Sequence, residues 1–153
     1  MGVAQNAFTS DQTQPQERNK AVWRRFVDIV ERHALEELDE VIAPDFVGHD
    51  LPPGLPPGPQ GLRQFRESTR AAFPDARTTI QQLLADGDYV IARFTVAGTH
   101  LGPLLGFAPT GKPFELHLIE LARFRDGKIV ERWTERDFLK LLQQLGLAPL
   151  AGR

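Results

Sequence analysis

Between Arg18 and His33, apolar residues return at Val22, Trp23, Phe26, Val27, Ile29 and Val30, the spacing of one buried stripe on a helix. Leu35, Leu38, Val41 and Ile42 repeat that spacing. Pro44 predicts the end of this second, shorter helix, because the residue before a proline avoids helical angles. Phe46 and Val47 then enter an extended segment. Residues 50–61, DLPPGLPPGPQG, hold five prolines and three glycines and predict a stiff loop, too short to be a repeat architecture. A third helix is expected from Leu62 to Phe73, with Leu62, Phe65, Thr69, Ala72 and Phe73 on one side and Pro74 as its stop.

Beyond Pro74 the texture is that of strands. Residues 77–84 and 89–98 flank Asp86-Gly87 and read as a hairpin, and residues 114–125 and 128–137 flank Asp126-Gly127 and read as a second. The connection THLGPLLGFAPTGKP joins them, and FLKLLQQLG closes the chain as a short amphipathic helix ended by Gly146 and Pro149. Helices first and strands later predict an α+β domain, a curved antiparallel sheet covered by N-terminal helices, and such a curved sheet encloses a concave pocket. One domain is expected over residues 18–148, with a flexible N-terminal tail at 1–17 and a short C-terminal tail at 149–153.

Composition narrows the chemistry. The 153 residues are 41% hydrophobic, a globular value, and 18 Lys+Arg against 20 Asp+Glu leave a formal charge of −2, which argues against a dedicated nucleic-acid binder. There is no cysteine, so disulfides, thiolate nucleophiles and sulfur-ligated metals are excluded. No apolar run approaches the roughly 18–20 residues of a membrane span, and the first residues lack the pattern of a signal peptide. These features predict a cytoplasmic protein with no membrane partner. No HExxH spacing, phosphate-cradling glycine loop, GxSxG elbow or dinucleotide fingerprint is present, so neither a metal nor a cofactor is expected.

The succession of two helices, PDFVGHD, a Pro/Gly loop, a helix ending in AAFPDA, LLADGDYVIARFTVAGTHLGPLLGFAPTGKPF and RFRDGKIVERWTERDFLKLLQQLG resembles the SnoaL-like polyketide and ester cyclase family across residues 18–147. The resemblance implies the cone-shaped, nuclear-transport-factor-like α+β barrel. It also implies an intramolecular aldol ring closure without metal or cofactor, with a pocket aspartate as acid/base beside a histidine. The aspartate's place, after the Trp of ERW, is taken by Thr134, and the histidine's strand position by Glu120. A threonine hydroxyl is a weak donor and acceptor and takes no proton at neutral pH.

Glu120 is then the leading candidate for proton transfer, since HLIELARF is otherwise mostly apolar and a carboxylate there must be paired or solvated. A three-residue connection, Asp126-Gly127-Lys128, places Glu120 opposite Thr134, His117 opposite Asp137 and Arg123 opposite Glu131; a two-residue loop shifts each pairing. Glu120 is either a general base oriented by Thr134 or the partner of Arg93 or Arg132 in an ion pair. His49 in VGHD and His100 in GTHLG are the other catalytic candidates, at positions that could face a cavity mouth, because histidine titrates near neutrality. Trp23, Phe26, Phe46 and Phe73 are candidate pocket walls, with Arg132 and Thr134 as polar groups for substrate.

Two functions fit. The first is a cofactor-independent cyclase or isomerase acting by acid–base chemistry on an apolar carbonyl or ester, polyketide-like molecule. The second is a non-catalytic small-ligand carrier or sensor in which Thr134 marks the lost aspartate. In either case the partner is an apolar small molecule, and the open side of the sheet would be buried against a second copy in a homodimer.

Overall fold

The computed structural model describes residues 6–150, with side chains described from residue 13 onward. The outermost parts of both expected tails, 1–5 and 151–153, lie outside the described residues. Helix α1 (Asn6–Arg32) is followed by a 3-10 helix (Leu35–Glu40), β1 (Ile42–Gly48), α2 (Pro59–Ala72), β2 (Arg77–Asp86), β3 (Tyr89–Thr99), β4 (Pro113–Arg125), β5 (Lys128–Arg136) and α3 (Phe138–Gln144). α1 begins well before the expected Arg18, inside the segment expected as a tail, and residues 6–17 carry no apolar stripe from which those turns could be read.

The five strands form one curved, unclosed sheet in the order β1-β5-β4-β3-β2. The two expected hairpins are present, β2 with β3 and β4 with β5, and β3 pairs β4 antiparallel along its whole length. Strand β1 is the exception to an antiparallel sheet, since it runs parallel to β5 at the edge. The second helix expected over 35–42 is only the 3-10 segment, and Ile42 already starts β1. Pro44 therefore sits inside a strand rather than ending a helix. An edge strand tolerates this, and the β1–β5 register is interrupted between Ile42 and Val47, where a missing N–H breaks no ladder bond. α2 likewise starts at Pro59, before the expected Leu62, because proline is at home in the first turn, where its N–H is not needed.

The turn of the second hairpin resolves the two registers left open by the sequence. Arg125 pairs Lys128 across the two-residue turn Asp126-Gly127, whose φ values of 51° and 76° are those of a type I′ turn. A bulge between Arg123 and Phe124 then shifts the ladder, so that Arg123 faces Glu131 and Glu120 faces Thr134. The pairing of His117 with Asp137 is not made. The ladder ends at Leu118 and Arg136, and Asp137 instead caps α3 by accepting from the Lys140 N–H at 3.0 Å.

The core lies between the helices and the concave face of the sheet. Trp23, Phe26 and Ile29 of α1 are buried there with Leu62 of α2 and with the inward residues Val90, Ala92 and Phe94 of β3 and Phe114, Leu116 and Leu118 of β4. Burial on β4 alternates strictly from Phe114 to Glu120, which puts that glutamate on the inner face. The connection between β3 and β4 is tied to the end of α2. The N–H groups of Leu101 and Gly102 both donate to the Ala72 carbonyl, at 3.0 and 3.1 Å. A Cβ on Gly102 would lie 1.9 Å from the Ala71 carbonyl oxygen. Gly102→Ala is expected to cost about 2 kcal/mol, the scale of an overpacked site, in urea denaturation with the slope unchanged.

Candidate active site

Between α1, α2, α3 and the inner sheet face lies a cavity of about 370 Å³. Its walls are apolar, led by Trp23, Phe26, Phe73, Phe94, Phe114 and Leu116, and its polar groups include Asp50, Arg66, Glu120, Thr134 and Arg136. Trp23 meets Phe94 edge-on, with ring centroids 5.5 Å apart.

Glu120 is 2% exposed and sits where three strands make room for it. Its cross-strand neighbours are Ala92, which is small, and Thr134, which is a donor. Thr134 Oγ1 donates to Glu120 Oε2 at 3.0 Å, and Trp23 Nε1 donates to Oε1 at 2.8 Å. Each carboxylate oxygen thus keeps one lone pair beyond the protein's own bonds. Arg132 Nε is 3.7 Å from Oε2, close enough for attraction but without a hydrogen bond. The ion-pair partner is therefore Arg132 and not Arg93, which lies outside on β3 and bonds Gln82 at 3.0 Å.

Arg132 is fully buried yet does not line the cavity. Its guanidinium lies over the rings of Phe26 and Phe46, at 5.4 and 6.0 Å from their centroids, and its Nη2 donates to both oxygens of Asp50 at 3.3 Å. Arg136 Nη2 also donates to Asp50. Burial raises the Asp50 pKa, but the charges of Arg132, Arg136 and Arg66 outweigh it and leave the carboxyl below its usual value.

The remaining sequence candidates divide. Trp23, Phe26, Phe73, Glu120 and Thr134 line the cavity, whereas Phe46 and Arg132 pack behind it and neither histidine reaches it. His49 is on the outer side of the sheet, stacked on Trp133 at 4.7 Å, and its Nε2 bonds Glu131 at 2.8 Å. His100 is fully buried, and its Nδ1 accepts from the Thr110 N–H at 3.1 Å. That leaves the ring proton on Nε2, which has no partner. His49 lies away from the cavity because it sits in the turn just after β1, where its N–H bonds the Arg132 carbonyl at 2.9 Å and its ring stacks outside on Trp133, while the next residue, Asp50, faces in.

Asp50, Arg66 and Arg136 were not singled out in the sequence, although two carried a signal. Arg136 is two residues beyond Thr134 and shares its face, and Arg66 interrupts the stripe of Leu62 and Thr69 on α2. Asp50 gave no such sign in its loop.

A curved sheet roofed by helices over an apolar chamber, with ionised side chains at its inner wall, defines a small-molecule pocket protein of α+β type. Comparison with known proteins makes this specific: the chain belongs to the SnoaL-like polyketide cyclase family, whose sequence model matches residues 20–145. It is 34% identical to the nogalonic acid methyl ester cyclase of Streptomyces nogalater over 113 residues, 72% of this chain and 84% of that protein. Among solved structures, it resembles TsrD from Streptomyces laurentii with a TM-score of 0.80 and 26% identity, over 87% of this chain and 98% of that one. It resembles IdmH from Streptomyces antibioticus with a TM-score of 0.73 and 37% identity, over 84% and 98%. No helix among the described residues is long and apolar enough to cross a membrane.

A carboxyl whose pKa is depressed by folding stabilises the fold above its unfolded value of about 3.9 and loses that contribution as pH falls through the folded value. Asp50→Asn is expected to lose about 3 kcal/mol at neutral pH, because it leaves Arg132 buried with only the more distant Glu120 as counter-ion. Its remaining stability should fall less than that of the wild type between roughly pH 5 and pH 2, as measured by denaturation at each pH.

Proposed function

We propose that this protein is a cyclase or isomerase that moves a proton on an apolar carbonyl or ester substrate, with Glu120 as acid and base. The observation that carries this reading is the buried Glu120 carboxylate at the cavity wall, fixed by Trp23 and Thr134. Membership of a cyclase family and likeness to a methyl ester cyclase support it. In an aldol closure, Glu120 takes the proton from the carbon beside a carbonyl. That carbon then bonds to a second carbonyl carbon of the same molecule, and the proton returns from Glu120 to the new alkoxide. No atom is gained or lost. Arg136, at the cavity and held by Asp50, supplies positive charge where the enolate oxygen develops. Thr134 orients the base rather than replacing it.

Glu120→Gln keeps the size and the neighbours of the side chain but removes the base. Turnover of a polyketide methyl ester is expected to fall about 100-fold or more, with the substrate still bound. Equal turnover would remove Glu120 from the mechanism. A ligand recovered unchanged from the wild type after long incubation would favour a carrier in which Thr134 replaces the catalytic aspartate.

A homodimer belongs to the same proposal. The outer sheet face exposes Val47 and Ile119 at 51% and 55%. Burying them against a second copy would remove apolar surface from water. Sedimentation at micromolar concentration is expected to give a dimer, and Ile119→Lys a monomer; a wild-type monomer would exclude the assembly.

A further inference from the structure

Strand alternation puts Ala92 and Glu120 on the inner face of the sheet and their odd-numbered neighbours on the outer one. One row across that outer face is Arg93 of β3, Ile119 of β4 and Glu135 of β5, each directly opposite the next. All three are exposed, and together they border a depression of about 280 Å³. The two charges are not matched within the chain. Arg93 Nε donates to Gln82 at 3.0 Å, and neither Arg93 nor Glu135 makes an ion pair among the described residues. Adjacent strands lie about 4.7–4.9 Å apart, so two spacings with an isoleucine between them separate the guanidinium from the carboxylate.

The next row on the same face is apolar. Leu84, Ile91, Leu121 and Trp133 face one another in turn from β2 to β5, and Leu84 is 58% exposed. Two copies packed through this face would bury that row, and sheets packed face to face keep their strands within about 30° of alignment. A two-fold axis for such a pair lies in the interface, and over Ile119 it has two simple directions. Along β4, it sets Arg93 of each copy against the partner's Glu135, Ile119 against its own copy, and Ile91 against the partner's Trp133. Across the strands, it sets Arg93 against Arg93 and Glu135 against Glu135, and like charges facing each other across an interface are costly. Arg123 also lies over the first axis, where its own Glu131 neutralises it at 2.9 Å.

We infer that two copies of this chain pack through their outer sheet faces about a two-fold axis along β4, with Arg93 and Glu135 as reciprocal ion pairs on either side of Ile119. The charge pattern, positive on one side of an exposed isoleucine and negative on the other, is complementary to itself under that rotation alone. This gives the arrangement of the homodimer proposed above and rests on it.

The test is sedimentation of the full chain over a dilution series, with the fold of each variant checked by circular dichroism. Symmetry doubles every substitution, so one reversed charge turns two attractive contacts into two repulsive ones. Arg93→Glu and Glu135→Arg are each expected to raise the dimer dissociation constant at least about tenfold, and the double variant to return it to within about threefold of the wild type. A wild type that dimerises but is indifferent to either single reversal, or a double variant as weak as the singles, would overturn the arrangement and leave the dimer standing. A wild-type monomer would overturn both. If a reversed chain does not fold, Arg93→Gln and Glu135→Gln take its place. Each is then expected to weaken the dimer severalfold and the pair together no more than either alone, whereas additive losses or none would overturn the arrangement.

Discussion

The 2.8 Å hydrogen bond from Trp23 to Glu120 joins the first helix to the middle of the sheet, and the interior is arranged around it. A carboxylate buried to 2% exposure is tolerable only if its oxygens are met by donors. One donor comes from α1 and the other, Thr134, from β5, so the helix layer and the sheet must both be in place before the two oxygens of buried Glu120 are met. The indole that supplies the first bond is also a cavity wall and packs on Phe94. Packing and chemistry therefore share one side chain, and neither can drift without the other.

Around this bond the charges are ordered by what each one touches. Arg132 sits between two aromatic rings and grips Asp50, and together they form the floor beneath the cavity. Arg136 grips the same carboxylate from the cavity side. Attraction is strong in a poorly solvated interior, but so is the cost of any charge left over. A site built this way is rigid where ions are matched and responsive where they are not.

Much of this could be read in the chain, because strand alternation and helix spacing report burial directly. The inward placement of Glu120 followed from an acid in an otherwise apolar strand; its facing of Thr134 was expected from a three-residue turn, whereas the turn has two residues and the bulge restores the pairing. The stripe of Trp23, Phe26 and Ile29 was equally plain. What could not be read depended on contacts distant in sequence. The start of β1 reads as the end of a helix, although Phe46 and Val47 read as extended, because its partner, β5, lies more than 80 residues away and pairs in parallel, so no turn announces it. Asp50 was passed over for His49 because the two differ only in which side of the chain they face, and that is fixed by the bond from the His49 N–H to the Arg132 carbonyl at 2.9 Å. Arg66 was hidden by its helix, since an arginine in an apolar stripe is ordinarily taken to reach for solvent.

The bulge between Arg123 and Phe124 has a consequence for how this chain can vary. Strand side chains alternate, so sliding β5 by one residue against β4 would put Thr134 on the opposite face from Glu120. The extra residue acts as a slip joint between the hairpin tip and the inner wall. Lengthening the tip by one residue while straightening the strand would preserve every facing pair from Arg123 inward. Descendants of this sequence are thus free to remodel the tip, provided the two changes come together.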